Sequence, residues 1–421
     1  MIARFLGIGV AASLLAVAAA GNAGAAAGSI WQVAPSVNPQ PHQVTDSTFA
    51  SVSMPTPTEG WAVGQFLAAS AISHPLAEHW NGSAFSRVTA PTPKGRQASL
   101  AGVDELSATN AWAVGTSAAG AAGQGNINDE PLLEHWNGTK WSIVAGPSLP
   151  AGATGDLTAI GGTGPGDLWA AGFQLSADAL QESLLFEHFD GTSWQIVPFP
   201  TENAACDPNV SDCFLDPAAV SATSPHDVWV VGTVREPNPT ANLIAHWDGT
   251  AWSVVPAPCL DGKKVSACSG NSINLNELTG VTAISGSDAW ASGSEGNVDG
   301  MNFHIPYVLH WNGTEWSLVK TPNRGGEGSL LRGITALSST DVWAVGQTQG
   351  LNGAIKPLTE QFNGSTWSLV DSPAPGSAHG TPVDSLSGVT SPAAGTVFAV
   401  GAREIPGQCC LRTLALKTTS G

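Results

Sequence analysis

Nine ionisable side chains in the connections between the repeated phrases of this chain are candidates: Asp129, Glu130, Arg235, Glu236, Glu295, Asp299, His304, Arg403 and Glu404. Two carboxylates held about 5 Å apart, or about 7–9 Å apart with room for a water, hydrolyse glycosidic bonds. Sequence spacing brings no particular pair of them together, so they stand as binding candidates and no catalytic residue is assigned. The stretch "DPNVSD" sets Asp207, Asn209 and Ser211 at alternate positions, as a calcium loop would. It lacks the later glycine and the bidentate glutamate, so no metal site is expected, nor any cofactor.

A denser cluster, "EHWNGTKW" from Glu134 to Trp141, looks like the lining of a sugar site. Near copies start at Glu78, Glu187, Ala245, Leu309 and Glu360, and a cluster repeated six times reads as architecture. Its histidines, His79, His135, His188, His246 and His310, would be spread around any symmetric fold, so structural hydrogen bonding is expected of them. Gln361 takes the sixth place. The Asn-Gly or Asp-Gly pair is expected to form a two-residue type I′ hairpin.

A second phrase alternates with the first: "GWAVG", "AWAVG", "LWAAG", "VWVVG", "AWASG", "VWAVG" and "VFAVG". Their closing glycines, 64, 115, 172, 232, 293, 346 and 401, are 51, 57, 60, 61, 53 and 55 residues apart. This period suits a four-stranded propeller blade with variable loops. In the fifth unit the strands read "LTGVTAIS" (a), "DAWASG" (b), "YVLHW" (c) and "TEWSLV" (d). All 16 tryptophans fall in strand b, at the end of strand c or in strand d, with phenylalanines filling gaps, so they are expected to pack blade against blade.

The segment "GSIWQVAPS", 28–36, matches strand d but precedes the first unit, and the last unit supplies strands a, b and c with no d. The two incomplete ends are expected to complete one another. That predicts an all-β, seven-bladed β-propeller of four-stranded antiparallel blades, closed by the N-terminal strand (28–37) joining the last blade. Expected blade boundaries are 48–90, 99–146, 156–199, 216–257, 277–321, 330–372 and 385–421.

The phrase "DVWAVG … EHWNGTxWSVVPSP" resembles secreted bacterial β-propeller repeat proteins akin to the kelch and Asp-box propellers, over residues 29–421. It lacks the kelch double glycine after strand b and sets glycine directly after Asn or Asp, unlike the Asp-box. The resemblance implies a fold and no single activity. Copper chemistry like that of galactose oxidase needs two tyrosines, and Tyr307 is the sole tyrosine here. A sialidase-like reading requires six blades and an arginine triad. A quinone-dependent dehydrogenase is matched only by the adjacent Cys409 and Cys410.

The balance of 15 Lys and Arg against 33 Asp and Glu, a formal charge of −18, disfavours nucleic acid and anionic membrane as partners. Residues 1–27 join Arg4, an apolar run and a small-residue tail, which reads as a secretory signal peptide cleaved near Ala25 or Ala27. Six cysteines, Cys206, Cys213, Cys259, Cys268, Cys409 and Cys410, fit an oxidising compartment. Fifteen pairings are possible; the local ones, Cys206 with Cys213 and Cys259 with Cys268, close the shortest loops. Cys409 and Cys410 would then form an adjacent pair or stay free. Because strand polarity alternates, all six cysteines and the nine candidates lie on the face of the b–c and d–a connections. The resulting expectation is a secreted monomer that binds a glycan or extracellular protein there without catalysis. The alternative is a carbohydrate-active hydrolase or lyase with loop carboxylates near the axis.

Overall fold

The computed structural model describes residues 30–38, 44–69, 71–119, 129–178, 182–199, 214–235, 241–258, 275–298, 303–322, 328–378, 383–405 and 410–418. These form seven four-stranded antiparallel sheets, each built from consecutive strands except one. In the fifth sheet the strands run Leu275–Ser285 (a), Asp288–Val298 (b), Phe303–Trp311 (c) and Trp316–Val319 (d). The exception joins Asp384–Ala393, Thr396–Glu404 and Leu411–Thr418 to Trp31–Val33, with Trp31 opposite Thr418 and Val33 opposite Leu416. The N-terminal strand therefore closes a seven-bladed β-propeller, as its sequence predicts. The segment 1–27 lies outside the described residues.

Indoles join each blade to the next. Trp61 of strand b in blade 1 meets Trp136 and Trp141 of blade 2 at 4.8 and 5.0 Å between ring centroids. Trp112 meets Phe189 and Trp194, Trp169 meets Trp247 and Trp252, and Trp229 meets Trp311 and Trp316. Trp290 meets Phe362 and Trp367. Trp343 of blade 6 then contacts Trp31 at 5.5 Å, and Phe398 of blade 7 contacts Trp80 of blade 1 at 5.2 Å. The ring is thus sealed by an edge-to-face aromatic contact at all seven interfaces, made by the strand-d tryptophan at six and by Trp80 of strand c at the seventh, which adds specific geometry to area burial.

The glycine ending each "WAVG" phrase has a local cause. Strand a carries a β-bulge opposite it, between Leu100 and Gly102 in blade 2 and between Leu157 and Ala159 in blade 3. A Cβ on Gly115 would lie 2.0 Å from the Ser99 carbonyl oxygen, and one on Gly172 1.8 Å from that of Asp156. Only a bare backbone fits so close an approach.

The Asn-Gly loops differ from the type I′ expectation. Trp136 pairs with Trp141, so four residues rather than two connect the strands. Only the glycine has positive φ, +88° at Gly138, whereas type I′ needs it at both central positions. The side chain explains the change: Asn137 Oδ1 accepts the Thr139 and Lys140 amides at 3.0 and 3.1 Å and the Thr139 hydroxyl at 2.7 Å. The serine or threonine after the glycine is part of this Asx motif.

Candidate functional site

Antiparallel order places the a–b and c–d turns on one face and the b–c and d–a connections on the other. On the turn face each strand-c histidine stacks on the strand-b indole of its own blade, Trp229 to His246 at 4.2 Å for example. Its Nε2 bonds an acidic or amide side chain at the start of strand b. The pairs are His79–Glu59 at 2.5 Å, His135–Asn110 at 2.9 Å, His188–Asp167 at 2.9 Å, His246–Asp227 at 2.7 Å and His310–Asp288 at 3.0 Å. Gln361 preserves the contact, donating to Asp341 at 3.1 Å. These histidines are structural, as expected. Asp227, Asp288 and Asp341 bond these side chains because strand pairing sets strand c directly beside them.

The loop face holds the described sequence candidates, spaced around the ring. Arg235 is the best connected: its Nε donates to Asp216 of the neighbouring strand a, and Glu182 of blade 3 lies close enough to act on both. Glu182 accepts the Leu215 amide, yet burial and the Asp216 carboxylate push its pKa up to about 7. Asp156, next along, rises to about 6 through burial and the nearby Asp129 charge. Asp129 is itself raised by burial, with Arg96 opposing. Glu130 is exposed and pairs with Arg96 at 3.3 Å, while Arg96 also bonds the Ser117 hydroxyl and carbonyl at 2.7 Å.

Across the ring, Arg403 stands opposite Asp384 in the blade 7 ladder. Burial lowers the pKa of Arg403 and Asp384 opposes that shift. Asp384 in turn accepts the Gly376 amide at 2.8 Å, and burial carries it up to about 6. Glu404 pairs with Leu411 at the strand end, Glu295 lies on strand b of blade 5 opposite Asn276, and His304 is half-buried on strand c. Glu236 and Asp299 lie outside the described residues, as do Cys206, Cys213, Cys259, Cys268 and Cys409. Cys410 is buried beside the last strand. Among the described residues no three His, Cys, Asp or Glu side chains gather as metal ligands. No described helix is long and apolar enough to cross a membrane.

The structure therefore does not bring the seven described candidates together. It ties Arg235, Asp129 and Arg403 to Asp216, Glu182, Asp156 and Asp384, carboxylates near the start of strands a and c. A repeat alignment hides these, since they sit inside strands rather than in the loops where function was sought.

Along the axis runs a channel of about 210 Å³, lined by three consecutive strand-a residues from each blade. The middle of the ring is formed by the bulged residues Ala50, Ala101, Thr158, Ala218, Thr279 and Ser387, all small and neutral, and by Arg332. Aligning the seven strands a would have exposed Arg332 as the single large charged residue in that slot.

A further set of titratable groups is buried between blades. Glu78, Glu134 and Glu187, the first residue of each "EHW", have no solvent exposure, and burial pushes each pKa up to about 8. Glu78 Oε2 accepts the Val37 amide from the preceding blade at 3.2 Å. In the matching position after strand d the other blades have proline, Pro91 and Pro147 before Glu134 and Glu187, which offers no N–H. Both oxygens of Glu134 and of Glu187 consequently lack a hydrogen-bond partner.

No protein-family model matches the sequence, and neither does any curated protein sequence. Solved structures do resemble it. A YCF48 structure bound to D1 peptide is 14% identical, with 92% of this chain and 98% of that chain covered at a TM-score of 0.50. A protein of unknown function from Dyadobacter fermentans is also 14% identical, covering 79% and 98% at 0.49. The Trypanosoma rangeli sialidase in complex with sialic acid is 12% identical, covering 80% and 59% at 0.43. At these identities the likeness concerns the propeller fold alone.

Proposed function

We propose that this chain is a secreted, non-enzymatic binding protein that engages a glycan or extracellular protein through the face of the b–c and d–a connections. The observation that carries the reading is how the charges of that face are used. Arg235 is held by Asp216 and Glu182, Arg96 by Glu130 and Ser117, and Asp384 by the Gly376 amide. Groups tied in this way make a fixed polar surface on a rigid ring, the usual basis for recognition by loops. The six cysteines fall in the connections of the same face, where disulfides would stiffen it. The leader-like segment 1–27 supports export, and the repeat phrases support kinship with kelch and Asp-box propellers.

One observation favours a second reading. Glu182, near pH 7 in its titration, and Asp156, near 6, would supply a protonated acid beside an ionised carboxylate at neutral pH, as a glycoside hydrolase requires. A glycan array and a polysaccharide hydrolysis screen on the purified protein separate the two. Binding without turnover, weakened by Arg235→Ala, is the expected result. Turnover abolished by Glu182→Gln would replace the binding reading with the enzymatic one.

A further inference from the structure

In every blade the β-bulge of strand a extrudes one residue toward the axis. Two of the seven lace the ring: Thr158 donates to the Pro217 carbonyl at 2.6 Å and Thr279 to the Leu331 carbonyl at 2.8 Å, each in the next blade. Four others are Ala or Ser and simply leave room. Arg332 fits neither role. It is exposed to the channel, and among the described residues its guanidinium takes part in no hydrogen bond or ion pair. Burial by the surrounding wall nonetheless lowers its pKa, with Glu277 the one charge opposing. Exposure and desolvation coexist here because the space Arg332 reaches is a narrow column enclosed by seven strands.

Five N–H donors in a planar fork, desolvated and without an acceptor, are matched by a carboxylate. The remaining polarity of the wall comes from hydroxyls and strand backbone, including Ser51, Thr158, Thr279 and Ser387, which suits a ligand rich in hydroxyls. The channel's volume of about 210 Å³ admits one small ring and no polymer segment. We propose that the axial channel is a binding site for a sugar acid, with the carboxylate held by Arg332. The site is inside the ring rather than on the loops, so it stands or falls independently of the face-binding reading.

Isothermal titration of the full chain with glucuronate, glucose and inorganic phosphate tests this. Glucuronate is expected to bind, glucose not to bind measurably, and Arg332→Ala to weaken glucuronate by roughly 10- to 100-fold, the effect of losing a charged hydrogen bond. The substitution should fold, because blades 1, 2 and 4 carry alanine in that slot; an unchanged thermal midpoint verifies it. Arg332→Lys should retain part of the affinity by charge alone. Absence of glucuronate binding, equal binding by Arg332→Ala, or equal affinity for glucose would overturn the site. Tighter binding of phosphate than of glucuronate would overturn the carboxylate assignment.

Discussion

Replacing Glu134 by leucine should stabilise this protein, and by an amount that grows with pH. The carboxyl is fully buried, neither oxygen has a hydrogen-bond partner, and its pKa rises from an ordinary 4.5 to about 8. Between those values the folded chain keeps a proton that the unfolded chain has released. Folding thus takes up a proton, and stability falls as pH rises, by about 1.4 kcal/mol per pH unit for each such group. Over the interval from 4.5 to about 8 the loss reaches roughly 5 kcal/mol for Glu134. It is complete above the folded value and vanishes below the unfolded one. Leucine removes the titration without leaving a hole, since Leu309 occupies the same slot in blade 5 with no exposure. The assay is urea unfolding of both proteins, followed by tryptophan emission, at pH 5, 6, 7 and 8. The gap in favour of Glu134→Leu should be smallest at pH 5 and widen steadily toward pH 8. A gap independent of pH, or one that narrows as pH rises, would mean that the carboxylate is charged and satisfied in the fold, and would refute the reasoning.

Trp61→Ala should destabilise the protein by about 3–5 kcal/mol, because its fully buried indole packs on two tryptophans of the next blade; thermal unfolding measures it. Gly115→Ala should be as harmful despite its size, since the new methyl carbon would lie 2.0 Å from the Ser99 carbonyl oxygen; the same unfolding assay should place it far below the wild type. Gly138→Ala, at φ +88° and against Thr109, should cost about 1–2 kcal/mol, and Asn137→Ala about 1 kcal/mol through loss of the Asx bonds. Lys140→Ala, at the exposed end of the same loop and contributing only backbone groups to the motif, should leave the midpoint unchanged.

The blade count, strand order and ring closure were legible because they rest on periodic signals. Tryptophans return at three fixed slots, a glycine closes every strand-b phrase, and Trp31 carries a strand-d phrase without the strands that should precede it. The Asn-Gly loop was misread as a two-residue turn because the dipeptide signal says nothing about the hydroxyl that follows it. Local geometry was decided by Thr139, Ser83 and their equivalents. The site was least legible for a related reason. Loop charges are conspicuous in a repeat, whereas Glu182, Asp216 and Arg332 sit within strands, where neighbours in space come from other blades. Glu134 shows the same limit: its ionisation depends on a proline 43 residues earlier, and no window along the chain joins the two.

Pairing Trp31–Val33 with Leu411–Thr418 makes a strand far along the chain a prerequisite for docking the N-terminal one. Six blades can assemble from consecutive strands as the polypeptide emerges, but the seventh keeps a bare edge until Leu411–Thr418 is available to Trp31–Val33. A nascent polypeptide therefore remains an open ring and locks only after these two segments meet. An extension fused directly ahead of Ile30 would emerge beside Thr418, so bulky fusions there should hinder that final locking more than fusions elsewhere on the rim.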